Sequence, residues 1–182
     1  MTRPLNETDR STLDAVGIDL IPLLRLSKVL ERSPNLFKSL TDESESPELC
    51  SAHHEGLLWS AMLWTCKEAA VKCIGTGFWR QGVEWRELRV SPLLGQASPS
   101  SNRSAFDANK EASQILYRKF KDQRIILCDV QVSLSGTAAT LTGEVHIEGS
   151  FELIPAMTQE ETGPLEAPLH QLIALSHMRL YR

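Results

Sequence analysis

Apolar residues along this chain recur in two rhythms. The stretch LDAVGIDLI, residues 13–21, is compact and apolar enough for a strand, with Asp19 an acid in apolar company. Pro22 suits the first turn of a helix, where its missing N–H costs nothing. In the following LLRLSKVLERS, Leu23, Leu26 and Leu30 recur at helical spacing, and Arg25, Lys28 and Arg32 share another face. A loop rich in Ser, Asp and Glu spans 41–48. A long helix is expected from Glu55 to Ile74, with Leu58, Met62, Ala69 and Cys73 on one stripe and Ala61, Thr65, Glu68 and Lys72 on another. Gly75 is its natural stop.

Beyond that helix, VEWRELRV at 83–90 reads as a strand, and residues 91–106 as a flexible loop or insertion. A second amphipathic helix is expected at 107–120, with Ala112, Ile115, Leu116 and Phe120 apolar. RIILCDVQVSLSG and TAATLTGEVHIEG read as two adjacent strands around Gly136. PLEAPLHQLIALSHMRLYR reads as an amphipathic helix or packed tail. No internal repeat is visible. The fold class is α+β: a small antiparallel sheet packed with a long central helix. The expected organisation is a polar lead-in over 1–12, one domain over 13–150 and a C-terminal extension over 151–182.

Charge changes this picture in one place. The formal net charge of −4 excludes a nucleic-acid binder whose whole surface is basic. Yet four basic residues against two acidic ones lie between Gly17 and Lys38, ahead of five acids and no Lys or Arg between Thr41 and Glu55. That stripe is either a solvated helix face or a docking face for an acidic partner. Cys50, Cys66, Cys73 and Cys128 form no CxxC, the opening MTRPLNETDRS is polar and charged, and no apolar run reaches the ~18 residues of a membrane span. The expectation is a cytoplasmic protein with reduced thiols and no membrane or nucleic-acid partner.

Candidate chemistry starts from Asp19 and Glu68. Ionised carboxylates avoid apolar surroundings unless paired or bound to a cation. Two that converge make a hard-oxygen site for Mg²⁺, and Lys72, one helical turn from Glu68, can hold a phosphate as a point charge. The bland alternative is a Glu68–Lys72 surface pair contributing ~0.3–0.5 kcal/mol, with Asp19 capping a turn. CSAHHE, with Cys50, His53 and His54, lacks a second zinc-ligand cluster, and Ser135-Gly136 lacks the rest of a nucleophile elbow. Trp59, Trp64, Trp79 and Trp85 read as core or rim aromatics, and His146 reads as structural.

VGIDLIPLLRLSKVLER, WTCKEAAVKCIGTG, GVEWRELRV and VSLSGT occur in that order. Together they resemble the 4'-phosphopantetheinyl transferase superfamily, and its holo-acyl-carrier-protein synthase branch in particular. That branch lacks the Glu that the larger branch carries two residues after the strand Asp; the position here is Ile21. The resemblance implies transfer of 4'-phosphopantetheine from coenzyme A to a serine of an apo acyl carrier protein, in fatty acid or polyketide biosynthesis. It makes Asp19 and Glu68 the Mg²⁺ ligands, with Glu68 helping to remove the serine proton and Lys72 steadying the phosphates. Lys67, Gly75, Thr76 and Gly77 would lie near coenzyme A, Ser133 and Ser135 would line the nucleotide, and Arg25, Lys28 and Arg32 would dock the carrier. A homotrimer with its active site between protomers is implied too. The chain departs from the pattern at Gly136, where the family carries His, and at Gln131. Those departures leave a second reading, a weakened or inactive member that binds a carrier protein or coenzyme A.

Overall fold

The computed structural model describes residues 13–75, 82–93, 104–121, 126–155 and 171–182. In chain order these form β1 (Leu13–Pro22), α1 (Leu23–Arg32), α2 (Leu36–Leu40), 3-10 turns at Glu43–Glu45 and Pro47–Leu49, and α3 (His54–Ile74). A 3-10 turn at Trp85–Glu87 then leads into β2 (Leu88–Leu93), α4 (Ala105–Lys121), β3 (Ile126–Leu134), α5 (Gly136–Thr142), β4 (His146–Pro155) and β5 (Leu172–Tyr181). The five strands make one antiparallel sheet in the order β1-β5-β4-β3-β2. The class is therefore α+β, as the alternation of helices and strand clusters predicts.

α3 organises the core. Its apolar residues surround most of its circumference, the pattern of a helix covered on several sides. Leu58, Trp59, Met62, Leu63, Cys66, Ala69 and Ala70 are all fully buried. The helix packs on β1 and β5 and carries α4 and α1 on its other flanks. It ends at Gly75, whose φ of 78° is the left-handed conformation that glycine accepts. On β5, Leu172, Ala174, Ser176, Met178 and Leu180 alternate inward toward α3 and are buried. On β1, Val16, Ile18 and Leu20 point to the opposite face and are about half exposed.

Three expectations are corrected. TAATLT forms α5 rather than a strand, because left-handed Gly136 breaks β3 and the Glu87 carboxylate caps the new helix through the Thr137 and Ala138 amides. The C-terminal stretch is strand β5, seated between β1 and β4, so residues 172–181 are integral to the sheet rather than a helix or packed tail. VEWRELRV is a strand only from Leu88, since Trp85–Glu87 turns first. Of the expected 91–106 loop, Ser91–Leu93 complete β2 and Ala105 opens α4, while 94–103 lie outside the described residues.

Candidate active site

The site grows from one close contact between strand and helix. Gly17 faces α3, and a β-carbon there would come 1.9 Å from the Ala69 carbonyl oxygen. Only glycine lets β1 lie this near the helix backbone. Two residues on, Asp19 faces the same way and meets Lys72 on the last turn of α3. Lys72 Nζ donates to Asp19 Oδ1 at 2.7 Å and to the Ile18 carbonyl at 2.8 Å. The Asp19 side chain is largely covered and that of Lys72 is 49% exposed, so the ammonium sits at the mouth of the site.

Glu68 lies one turn before Lys72 and is half-buried. Burial raises its pKa above the usual carboxylate value, the charge of Asp19 raises it further, and Lys72 opposes both. Glu68 thus feels the charges of both Asp19 and Lys72, the pair that closes β1 against the last turn of α3. No described residue forms a hydrogen bond or ion pair with Glu68, and Lys72 pairs across to Asp19 rather than along the helix. The surface Glu68–Lys72 pair with Asp19 as a turn cap is not what forms.

Lys67 is the principal correction among the site residues. It was expected beside coenzyme A, but its side chain is fully buried and points away from Asp19. Adjacent helical residues diverge by about 100°, so one faces the strand while the other faces the turns. Lys67 Nζ donates to Glu45 Oε2 at 2.5 Å and to the Trp85 carbonyl at 3.0 Å. Burial pushes the Glu45 carboxyl up and the Lys67 ammonium down, each opposed by the attraction of its partner. Glu45 was missed because it sits in a run of polar loop residues. The buried Lys it answers lies 22 positions later.

The remaining residues are spread over the molecule. Arg25, Lys28 and Arg32 are exposed on α1, which follows Asp19 directly. Gly75 caps α3, while Thr76, Gly77 and Trp79 lie outside the described residues. Ser133 is exposed on the sheet face away from α3, and Ser135 donates through its hydroxyl to the Glu87 carbonyl at 3.2 Å. The row through Asp19 runs to Ser176, Phe151 and Cys128. Ser133 is thus three strands over and five residues along, about 14 Å across and about 17 Å along the sheet. One chain does not bring Ser133 or Ser135 to Asp19. His53, His54 and Cys50 gather no further ligand, and no group of three metal-binding side chains occurs among the described residues.

Two carboxylates without a third protein ligand suit Mg²⁺, which takes one or two carboxylates and fills its octahedron with waters and phosphate oxygens. A cation there would also offset the repulsion between Asp19 and Glu68.

Comparisons with known proteins give the chain's family. The family model described as the 4'-phosphopantetheinyl transferase superfamily matches residues 15–128. That span contains Asp19, Glu68 and Lys72 and stops before Ser133, Ser135 and Gly136. Holo-acyl-carrier-protein synthase of Verminephrobacter eiseniae is 32% identical over 75 residues, 41% of this chain and 56% of the relative. That of Nitrobacter winogradskyi is 38% identical over 88 residues, 46% of this chain and 63% of the relative. The chain thus matches somewhat over half the length of these relatives. A solved holo-ACP-synthase from Plasmodium yoelii is 15% identical, covering 93% of this chain and 95% of its own with a TM-score of 0.47. The chain belongs to the 4'-phosphopantetheinyl transferase superfamily.

Proposed function

We propose that this protein transfers 4'-phosphopantetheine from coenzyme A to a serine of an apo acyl carrier protein. The serine oxygen attacks the β-phosphorus, the bond to the α-phosphate oxygen breaks, and 3',5'-ADP leaves. The observation that carries this reading is the convergence of Asp19, Glu68 and Lys72 within the part of the chain that the superfamily covers.

Each residue has a task that its surroundings suit. Asp19 and Glu68 hold Mg²⁺, which supplies charge neutralisation on the pyrophosphate when bound. Glu68, whose pKa burial and Asp19 raise, assists removal of the serine proton. Lys72 has its ammonium at the mouth of the site and grips phosphate oxygens. Arg25, Lys28 and Arg32 lie exposed on the helix that follows Asp19 and steer an acidic carrier toward it.

A homotrimer fits the placement of the remaining residues. Ser133 and Ser135 serve the same coenzyme A as Asp19 only if two copies of the chain contribute. The half-exposed apolar row of Val16, Ile18 and Leu20 provides surface for such a contact. No helix among the described residues is long and apolar enough to cross a membrane, and the four cysteines are free and buried. Both fit work in the cytoplasm.

The test is incubation of the purified chain with Mg²⁺, coenzyme A and candidate apo carrier proteins, read by intact mass. Addition of one phosphopantetheine, lost in Asp19→Ala and Glu68→Ala variants that still fold, supports the reading. One observation favours a second reading: Gly136 supplies no side chain where the family carries His. A carrier-binding module without turnover would bind the carrier in calorimetry independently of Mg²⁺.

A further inference from the structure

We propose that the buried Glu45–Lys67 pair is a positioning device that fixes the rotation of α3 about its axis and so aims Glu68 at Asp19. The inference rests on the transferase reading and assigns to its site a support on the far side of the helix. Three anchors surround Glu68. Thr65 Oγ1 lies 2.6 Å from Ser176 Oγ on β5, and Ser176 is the register partner of Asp19. The Ala69 backbone abuts Gly17 on β1. Lys67 ties the opposite flank of the helix to the turns at Glu43–Glu45 and Trp85–Glu87. The first two anchors hold one side of α3 against the sheet; the third holds it from the other side by a charged pair, beside the packing of α4 and the hydrogen bond that Ser113 Oγ donates to the Glu55 carbonyl at 3.1 Å.

The Glu45 end is itself fixed at every oxygen. Oε1 accepts from the Val90 amide at 2.8 Å, and Oε2 accepts from the Asp42 amide at 3.0 Å as well as from Lys67. The Glu45 backbone carbonyl accepts from Trp59 Nε1 at 3.1 Å, one more link to α3. Such a pair is an uneconomical way to stabilise a core, since apolar residues of similar volume often serve as well or better. What the charges add is direction. Each hydrogen bond has one geometry, whereas apolar packing lets a helix roll by several degrees. A residue that supports metal ligands from outside the ligand set commonly matters for affinity and rate rather than for folding.

The test uses the full chain with Glu45→Gln and Lys67→Met together, which removes both charges and keeps an acceptor for the Val90 amide. Glu45→Gln with Lys67→Gln is the milder second variant. Mn²⁺ affinity is read by electron paramagnetic resonance, kcat and KM by transfer to an apo carrier, and folding by circular dichroism. A folded variant is expected to bind Mn²⁺ about tenfold more weakly and to lose kcat by about the same factor, with KM for coenzyme A within about twofold. A folded variant with wild-type Mn²⁺ affinity and kcat overturns the inference. So does failure of both variants to fold, which makes the pair structural, and so does a wild-type chain that binds no Mn²⁺. If wild-type protein binds Mn²⁺ but modifies no carrier, the transferase reading fails while the Mn²⁺ comparison still decides the role of the pair.

Discussion

Gly17 and Ala69 set the distance between β1 and α3, because a β-carbon on Gly17 would come 1.9 Å from the Ala69 carbonyl oxygen and 3.0 Å from the Cys73 nitrogen. Both obstacles are backbone, so neither can swing aside. Gly17→Ala must push the strand from the helix and carry Asp19 away from Lys72. The expected cost is about 1–3 kcal/mol, typical of overpacking. Urea unfolding checks it, and transfer activity should fall further than stability alone accounts for.

Lys72 separates chemistry from stability. Its pair with Asp19 has the ammonium half in water, so its contribution is screened to about 0–1 kcal/mol. Lys72→Met should therefore shift the thermal midpoint little and lower the transfer rate by about 100-fold or more, the loss expected for one group that stabilises charge in the transition state. Thermal melts beside initial-rate assays measure the two effects.

Glu68 should show the opposite trade. Its folded-state pKa lies above the unfolded value of 4.5, so ionising it opposes folding. Stability from the protonated form is fully present below about that value and is lost as pH rises through the folded pKa. In chelator-treated buffer, Glu68→Gln should be more stable than wild type at neutral pH and should lose that advantage on acidification below pH 4.5. The same variant should be inactive.

Glu87 and Asp42 titrate with the other sign. For Glu87 burial acts upward, but amide donors at Thr137, Glu84 and Ala138 outweigh it and depress the carboxyl below 4.5. Ser44, whose backbone amide donates to Asp42 Oδ1 at 2.9 Å, holds the Asp42 carboxyl below 3.8. Their contribution is present above those unfolded values and lost as pH falls through the lower folded ones. Acid titration followed by hydrogen exchange should thus loosen α5 and the Glu43–Glu45 turn before the core of α3.

Restoring the family's His at Gly136 should harm this protein. Gly136 has φ +52°, and a β-carbon there would lie 2.2 Å from Glu87 Oε1. The left-handed conformation alone costs a branched or bulky residue about 1–2 kcal/mol. Glu87 would also have to release the α5 amides. Gly136→His should lower stability in urea without raising transfer, whereas Gly136→Asn should be better tolerated.

What the sequence revealed depended on how local its cause was. β1, α1 and α3 follow from runs whose spacing states their own geometry, whereas the pairing of Asp19 with Lys72 depends on the packing of β1 against α3 and was not legible in either segment alone. β5 escaped because Ile173 and Leu175 are apolar on the face away from α3, hiding the alternation of Leu172, Ala174, Ser176, Met178 and Leu180. α5 escaped because its threonines favour strands, while its cap is supplied by Glu87 from a distant turn. Lys67 could not be placed from its motif, since one helical step decides whether a side chain meets ligand or core.

The central claim is that Asp19, Glu68 and Lys72 form a phosphopantetheine-transfer site. Intact mass of an apo acyl carrier protein after incubation with this protein, coenzyme A and Mg²⁺ tests it most directly. The account predicts a gain of one phosphopantetheine on the carrier, abolished by Asp19→Ala in a chain that still folds. An unchanged carrier mass with wild-type protein across a panel of apo carriers, or an unchanged gain with Asp19→Ala, would contradict it.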